Sequence, residues 1–439
     1  MSVINRLQRL TGEGSKEAGS RNRGSTRAEE IRTLRERIDA VLSRRPEGFT
    51  AGAPAAGRGR GIPLEELVPG AETENEGGTF FCAHRVTGGS ARHGRFCIRD
   101  IAPLDMGRLA VLANDPLLKA LDYREALFFD TETTGLAGGT GTVAFLIGLG
   151  WFEGDGFVTR QLFARDYAEE RATLLDLMAL LRERRFLVSF NGKAFDANLL
   201  ASRFIMNRLP DPLAALPHLD LLHPARRLLS HRLADRRLGA LEAALLGLER
   251  EGDVPGSEIP QRYFDWLRRR DGRLMADVFE HNRLDILSLA ALAAHLAELI
   301  HPDGGTAHPG DRLAAARLFL ARELPDEAVR LLDPLCGCAS PETAREAARE
   351  LSLHRKREGR WSEATALWEE MVRRDGEDRF ALIELAKWHE HRRRDFARAL
   401  ALTERAGAGR LSPDERANLV RRRERLERKL APRQVGVDA

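Results

Sequence analysis

Between residues 124 and 300, the hydrophobic positions follow two alternating patterns. Short apolar runs bounded by turn residues predict β-strands, and apolar residues spaced three and four apart predict helices. The first three strands follow one another closely, with the turn "GDG" between the second and third, which predicts a meander. The predicted strands cover residues 126–132, 144–154, 156–164, 186–192 and 218–225, and the predicted helices cover 169–184, 195–208, 237–247 and 274–300.

A meander followed by alternating strands and helices indicates an α/β domain at 124–300, with a mixed rather than fully parallel sheet flanked by helices. Short strand patterns and one helical pattern precede it at 76–123, and we expect a lead-in that packs on this domain. Residues 1–75 are rich in Gly, Ser, Ala, Pro and Arg. That composition predicts a flexible basic leader with a short helix.

The C-terminal part has only helical patterns. After a linker predicted at 301–311, alanines recur at 328, 364 and 399 within residues 312–430, and each is followed three positions later by leucine. This period resembles that of tetratricopeptide repeats, whose helix pairs stack into a solenoid. An unrelated array of helical hairpins is the alternative. Residues 431–439 form a tail.

Composition narrows the class of protein. The chain has 439 residues, 43% of them hydrophobic, and a formal net charge of +3, which fits a folded globular protein. Four cysteines are too few for a disulfide framework in a chain of this length. Because no run of about 18 apolar residues and no signal peptide is present, we expect a cytoplasmic protein without a membrane association. The Arg-rich ends could contact phosphates or form solvated surfaces.

Carboxylates follow the predicted strands where apolar residues would be expected. Asp130 and Glu132 are two positions apart on one strand and therefore point to the same face. Asp196 begins a predicted helix, and Asp285 lies in the apolar final helix one turn after His281. Paired carboxylates raise each other's pKa unless a cation lies between them, and hard oxygen ligands suit Mg²⁺ or Mn²⁺. A strand end that simply exposes charge to solvent is the alternative for the first pair.

The segments "FDTETTGL", "NGKAFD" and "HNRLD" resemble the three sequence blocks of the DEDD (DnaQ-like) 3′ to 5′ exonucleases in the ribonuclease H-like superfamily, and the continuation "GLAGGTGTVAFLIGLG" is most similar to the YprB-like branch. The resemblance implies a ribonuclease H-like fold. It also implies that Asp130, Glu132, Asp196 and Asp285 bind two divalent cations, Mg²⁺ or Mn²⁺, that flank the scissile phosphate.

The resemblance also suggests residues that contact the substrate. Backbone and apolar groups just after the first block would contact the terminal nucleotide, which makes Thr133, Gly135 and Leu136 candidates. Asn191 and Lys193, in the second block, could reach a phosphate or order that block. A plain exposed lysine is an equal alternative for Lys193.

His281 departs from the family pattern. One branch places a general-base histidine five residues before the last acid, and another places a tyrosine four residues before it. Position 280 is glutamate here, and His281 occupies the tyrosine position. Its imidazole could accept a proton from water or orient that water. A histidine without a catalytic role is the alternative.

Three further motifs have weaker chemical signals. Cys82, His84, His93 and Cys97 are zinc-ligand residue types at spacings that only half match a zinc module, so scattered residues of a small sheet are favoured. "GGTGT" lacks the lysine and following helix of a P-loop and is read as a hairpin segment. The aromatic residues at 263, 264 and 266 could stack on bases, although packing under the final helix is favoured. Cys336 and Cys338 receive no role.

These features lead to one favoured function and two alternatives. The favoured function is a metal-dependent 3′ to 5′ exonuclease that acts on single-stranded DNA or RNA ends, with the helical repeats binding a protein partner or guiding substrate. One alternative is a nucleic-acid-binding or adaptor protein that uses the nuclease fold as a platform. The other is a structure-specific endonuclease. The presence of all four acids argues against the platform alternative, since a platform does not need them.

Overall fold

The computed structural model describes residues 61–135, 141–302 and 308–431. The nine strands in these ranges are β1 (Gly70–Asn75), β2 (Gly78–Thr87), β3 (Arg92–His93), β4 (Phe96–Cys97), β5 (Ala126–Thr133), β6 (Ala144–Glu153), β7 (Gly156–Phe163), β8 (Phe186–Ser189) and β9 (His218–Asp220). The helices before residue 300 are α1 (Ile98–Ile101), α2 (Met106–Ala113), α3 (Glu170–Leu181), α4 (Asp196–Met206), α5 (Leu222–Leu229), α6 (Leu238–Leu241, continued by a π-turn at Glu242–Leu246), α7 (Ile259–Arg269) and α8 (Arg273–Leu299).

Seven strands form one mixed sheet in the order β1-β2-β7-β6-β5-β8-β9. The meander β5-β6-β7 is antiparallel, and β2 and β1 continue it antiparallel to one edge. On the other side β8 pairs parallel to β5, and β9 pairs parallel to β8. Strands β5, β8 and β9 therefore end at the same edge of the sheet. The predicted fold class, a mixed α/β sheet flanked by helices and followed by an all-α part, is confirmed.

Helices cover both faces of the sheet, and alternate residues of β5 contribute to the two cores. Leu127 and Phe129 pack in the core formed with α3 and α4. Ala126 and Phe128 pack in the core formed with α5 and α8. Because side chains alternate along a strand, Asp130 and Glu132 continue the row that faces α8. The long helix α8 thus crosses the face on which the first two acids lie.

Two glycines allow α8 to approach β6 closely. A Cβ atom on Gly148 would overlap the side chain of Asn282, and one on Gly150 would overlap Ile286. The glycines are two residues apart on the strand and their helix partners are one turn apart, so the two spacings match along the contact. The segment "LIGLGW" therefore brings the turn of α8 that contains Asp285 next to the end of β5.

The lead-in predicted at 76–123 needs a correction. Its longest strand, β2, does not pack on the domain as a separate layer but pairs directly with β7 in the same sheet. The sheet also begins earlier than predicted, because β1 at Gly70–Asn75 lies within the residues assigned to the leader. Sequence pattern identifies a strand but not the neighbour with which its backbone pairs.

One further element differs from the expectation, and another agrees with it. The predicted strand at 218–225 is only three residues long, and helix α5 follows it at Leu222. The segment between α6 and α8 contains the helix α7, whose Tyr263 and Trp266 are buried. Tyr263 stacks on Phe145, with ring centroids 4.0 Å apart. These two aromatic rings pack in the core, as favoured, and are not available to stack on bases.

The C-terminal part is helical throughout its described residues. Successive helices pack on one another, and the three alanines at the repeat positions, Ala328, Ala364 and Ala399, are fully buried. Their assignment to tetratricopeptide-like repeats stays a prediction. The helices are α9 (Pro309–Ala321), α10 (Pro325–Leu335), α11 (Pro341–Arg357), α12 (Trp361–Arg374), α13 (Arg379–Trp388, continued by a π-turn at His389–Arg393), α14 (Phe396–Ala406) and α15 (Pro413–Leu430).

The first two of these helices, α9 and α10, share a hydrophobic core with the sheet domain. Apolar residues of α9 and α10, including Leu313 and Leu331, belong to the same core as α5 and α8. The segment predicted as a linker at 301–311 already contains the start of α9 at Pro309 and the buried side chain of Asp311. Among the described residues, no helix is long and apolar enough to cross a membrane.

We predict that Gly148→Ala weakens the contact between α8 and β6. The added methyl group would displace the buried Asn282 side chain, and overpacking of this kind costs about 1–3 kcal/mol. The expected result is a lower midpoint of urea unfolding than that of wild type. Gly256→Ala is the matched control, because a Cβ there meets open space. An unchanged midpoint for Gly148→Ala would show that the close approach is not required.

Candidate metal and nuclease site

The first two acids lie where β5 leaves the regular sheet. Asp130 pairs with Gly148 and Glu132 with Leu146, and the register shifts between Glu132 and Thr133. Irregularities of this kind redirect the side chains at the end of a strand. Asp130 and Glu132 are only partly exposed. The alternative of a strand end whose charges are freely exposed to solvent therefore does not describe them.

Asp196 reaches the same edge of the sheet from the opposite layer. It is the first residue of α4, where the helix dipole favours an anion. Its Oδ1 accepts a hydrogen bond from the Thr131 hydroxyl, on the face of β5 opposite to Asp130 and Glu132. Asp196 is 6% exposed. The threonine between the two strand acids therefore positions the third acid.

Helix α8 supplies the fourth acid and the histidine. His281 and Asp285 are one turn apart, and Nε2 of His281 lies 3.5 Å from Oδ2 of Asp285. Ligand atoms of Glu132, His281 and Asp285 all lie within 4.8 Å of one another. The structure therefore brings together residues that are separated by about 150 positions in the sequence.

Burial and mutual repulsion raise the pKa values of three of the carboxylates in the site. Burial raises the pKa of Asp130 well above its ordinary range, and the charges of the other three acids raise it further. Burial raises the pKa of Glu132 to about 8, against the opposing effect of His281. Burial also raises the pKa of Asp196 to about 6. Without a bound cation, the site therefore favours protonated carboxyl groups.

Asn282 is a site residue that the sequence analysis does not identify. Its Nδ2 donates to Oδ2 of Asp130 at 3.1 Å, and its Oδ1 accepts from Nε2 of Gln161 at 2.9 Å. Asn282 is completely buried. The available signal is its position on the apolar face of α8, one turn from Phe279 and Ile286, where an unpaired amide would be costly.

Arg250 is a second site residue without a sequence prediction. One of its terminal nitrogens donates to Oδ1 of Asp285 at 2.5 Å and also to the buried Glu242, and the guanidinium lies 3.3 Å from Asp253. The arginine thus supplies an internal cation to one of the four acids. It comes from the irregular segment after α6, which offers no local pattern that would reveal it.

His281 has a carboxylate partner on each side of its ring. Nδ1 lies 2.7 Å from Oδ1 of Asp253, and Nε2 faces Asp285. Burial opposes the charged imidazolium, but the charges of Asp285 and Glu132 and the bond to Asp253 raise the pKa of His281 overall. Asp253 fixes the ring so that Nε2 points toward the carboxylates.

The turn after β8 is held by another carboxylate that the sequence analysis does not identify. Asp220, at the end of β9, accepts hydrogen bonds from the backbone nitrogens of Asn191 at 2.7 Å and Lys193 at 3.1 Å. Asp220 is buried, whereas the side chains of Asn191 and Lys193 are exposed. An acid directly after a buried strand is the same signal that identified Asp130.

Two further candidates, Thr133 and Gly135, lie at the end of β5 and just after it. Thr133 is buried, and its hydroxyl donates to the carbonyl of Gly135 at 2.9 Å. This bond stabilises the backbone just after the shift of register. Leu136 and most of "GGTGT" lie outside the described residues.

Other residues of metal-ligating type have protein partners of their own. His93 bonds to Ser288 at 2.7 Å, and Cys82, His84, His93 and Cys97 do not converge as a ligand group within the described residues. A second group of potential ligands, His231, His308 and Asp311, lies at the start of α9. There Arg232 already contacts both oxygens of Asp311, at 2.8 and 2.9 Å.

The donor set fits hard divalent cations. Carboxylate oxygens are the ligands that Mg²⁺ and Mn²⁺ prefer. Burial and the neighbouring carboxylates raise the pKa values of Asp130 and Glu132, an effect that a cation between them would offset. Of the four acids, only Asp285 has an arginine partner among the described residues. The residues present therefore match the expected divalent metals.

Comparison with known proteins finds similarities to one family profile, one relative and one solved structure. Residues 127–297 match the sequence profile of the RNase H superfamily. The uncharacterized protein YprB of Bacillus subtilis (strain 168) is 34% identical over 348 residues, which cover 77% of this chain and 84% of YprB. The family B DNA polymerase of the archaeon Pyrobaculum calidifontis is 15% identical, with a TM-score of 0.34 over 46% of this chain and 29% of the polymerase. A structural likeness of that size supports no conclusion.

We predict that the metal-free protein loses stability as pH rises, and that Glu132→Gln reduces this loss. The pKa of Glu132 is about 8 in the folded state against an ordinary 4.5, so folding favours its protonated form. Its contribution to stability is full below pH 4.5 and is lost as pH rises through 8. Thermal unfolding midpoints in a chelator, at pH 5 and pH 8.5, measure the effect.

Mn²⁺ should restore the wild-type midpoint at pH 8.5, because the cation stabilises the ionised carboxylates. Glu183→Gln, on an exposed glutamate after α3, is the control and should keep the wild-type pH dependence. Equal pH dependence in wild type and Glu132→Gln would contradict the assigned cause.

Proposed function

Because this chain belongs to the RNase H superfamily and to the family of Bacillus subtilis YprB, we propose that it is a metal-dependent nuclease that removes nucleotides from the 3′ ends of single-stranded nucleic acid. The observation that supports this most is the convergence of four carboxylates from β5, α4 and α8 on one sheet edge. Each of Asp130, Glu132 and Asp196 has a pKa raised by burial. Placing them together is unfavourable for folding and is explained by a need for cations.

Asp130, Glu132, Asp196 and Asp285 would hold two divalent cations, Mg²⁺ or Mn²⁺. When bound, such ions supply positive charge that lowers the pKa of the attacking water and stabilises the leaving 3′ oxygen. Among this chain's own residues, Asn282 keeps the side chain of Asp130 in place, and Thr131 does the same for Asp196. The acids are thus positioned by rigid elements and hydrogen bonds.

His281 would accept or orient the proton of the attacking water. Its Nε2 faces the carboxylates, while its Nδ1 bonds to Asp253, an arrangement that orients a general base. Burial opposes its charge, but the surrounding carboxylates raise its pKa overall, which favours the charged imidazole. Neutralisation of those carboxylates by cations would lower the pKa of His281 and free Nε2 to accept a proton.

Thr133 and Gly135 would contact the terminal nucleotide, since they follow the strand acids directly. Asn191 and Lys193 would contact a phosphate from the turn after β8, which Asp220 holds in place. The C-terminal helices would bind a protein partner through tetratricopeptide-like repeats or guide the substrate. Their continuous core with α5 and α8 supports the second role, because it fixes them next to the nuclease sheet.

We predict metal-dependent shortening of single-stranded DNA or RNA from the 3′ end. The full-length protein is incubated with 5′-labelled oligonucleotides in Mn²⁺ or Mg²⁺, and the products are resolved as a ladder. Asp196→Ala should abolish the ladder, as should a chelator, whereas Asp277→Asn, on an exposed aspartate of α8, should not.

Several results of this assay would overturn the proposal. Intact substrates with wild-type protein, despite stable binding, would favour the adaptor alternative. Internal cuts in a hairpin or a circular single strand would favour an endonuclease. Equal cutting by Asp196→Ala would exclude the proposed acids as the origin of activity.

We further predict that His281→Ala lowers the rate of cleavage about 10²- to 10⁴-fold, the range typical of a lost general base. The Mn²⁺ concentration that gives half-maximal rate should change little. Asp253→Asn should cause a smaller loss, because the imidazole remains but its orienting bond is weakened. A large shift of the Mn²⁺ dependence without a change in maximal rate would instead make His281 a metal ligand.

A further inference from the structure

A cleft of about 550 Å³ opens beside the candidate site and has no role in the metal chemistry. It lies past the ends of β8 and β9, and its lining includes Phe190 and Asn191 on one side and Arg226, Arg236 and Arg237 on the other. Asn191 belongs both to this cleft and to the turn that leads to Asp196. The cleft therefore adjoins the turn that leads to Asp196.

The position of the cleft follows from the sheet topology. Phe128 of β5 pairs with Val188 of β8, so Asp130 and Phe190 lie at corresponding positions past the parallel pair. Ser189 pairs in turn with Asp220 of β9. Neighbouring strands are about 4.8 Å apart, which places the cleft roughly 10 Å from the strand acids. Ligands of α/β sheets bind at the carboxyl ends of parallel strands, where this cleft lies.

The charge of the cleft suits phosphates. The lining of the cleft contains three arginines and one acid, Asp235. The pKa of Asp235 is lowered to about 2 by its hydrogen bond to Arg237. Arg236 donates to the carbonyl of Leu233 at 2.9 Å, which anchors one end of its guanidinium. Within the described residues, Arg226 is exposed and has no ion-pair partner. Arginine forks match phosphate oxygens in shape and charge.

The cleft wall also offers a surface for a base. Phe190 is half-buried, and the turn that follows it is held by the two backbone hydrogen bonds to the buried Asp220. Aromatic rings beside a cationic groove are typical of sites that bind single strands, because every base can stack on a ring. A duplex would keep its bases paired and could not use this ring.

We infer that this cleft binds the single strand on the 5′ side of the scissile phosphate, with phosphates on Arg226, Arg236 and Arg237 and a base on Phe190. The inference rests on the proposed function for the direction of the strand. Thr133 and Gly135, on the β5 side, would receive the terminal nucleotide. The rest of the strand must leave on the other side of Asp196, where the cleft begins.

Binding of a fluorescent twelve-nucleotide oligothymidine tests the inference separately from catalysis. The full-length protein is titrated in Ca²⁺, at several salt concentrations, and a gel verifies that the probe stays intact. The triple variant Arg226→Gln, Arg236→Gln, Arg237→Gln should weaken binding roughly ten- to hundredfold. Each lost phosphate contact should also reduce the slope of log K against log salt by about 0.7.

A charge-matched control separates local from global electrostatics. Arg182→Gln, Arg268→Gln, Arg269→Gln removes three exposed arginines elsewhere and should keep the wild-type slope. Phe190→Leu should weaken binding while the slope stays constant, because stacking releases no counterions. Thermal unfolding of each variant verifies folding.

Wild-type affinity in the first triple variant would overturn the inference, and so would equal losses in both triple variants. A loss of the same size for thymidine 5′-monophosphate would show a mononucleotide site instead of a strand path. If the triple variant binds weakly while wild-type protein cuts no substrate in Mn²⁺, the cleft stands and the proposed nuclease function fails.

Discussion

The close packing of α8 on β6 is the contact on which the rest of the site depends. Gly148 and Gly150 leave room for Asn282 and Ile286, so the helix lies against the strand with no intervening side chain on either glycine. The same turn of α8 contains Asp285. The close packing of the helix on the strand therefore places Asp285 beside Glu132. A bulkier residue on β6 would move the fourth acid away from the first two.

That packing creates an electrostatic cost, which the protein offsets unequally among the four acids. Asp285 is bonded to Arg250, and Asp130 and Asp196 accept hydrogen bonds from neutral side chains. Among the described residues, Glu132 has no side-chain hydrogen bond, and its pKa is about 8. The need for an external cation therefore falls on Asp130, Glu132 and Asp196, which have no arginine partner among the described residues. An uncompensated electrostatic cost of this type is typical of functional sites, where the residues that function requires lower the stability of the fold.

Helix α5 links the site to the C-terminal helices. Ala225 and Leu228 pack in the core shared with α9, while Arg226 lies on the exposed side of the same helix, in the cleft. Just after α5, Arg232 forms a bidentate pair with the buried Asp311 of α9. The orientation of the cleft is therefore fixed partly by the C-terminal region, which in the proposed function would give that region a part in substrate binding.

The mixed sheet and the order of its elements along the chain could be predicted from the sequence because both depend on local information. The proposal that the four acids form one site also needed the resemblance to the DEDD exonuclease blocks. Apolar spacing identifies strands and helices, and a carboxylate directly after an apolar run stands out without knowledge of its neighbours. His281 could be singled out for the same reason, from its position one turn before Asp285. The signals at these positions lie within a few residues.

The partners that control the acids were decided only by tertiary structure. Arg250 and Asp253 come from an irregular segment, and Gln161 acts through Asn282 from two strands away, so no spacing in the sequence links them to the site. The pairing of β2 with β7 and the shared core of α9 likewise join distant segments. The sequence pattern indicates which face of an element is apolar. Which neighbour packs against that face depends on the whole tertiary structure.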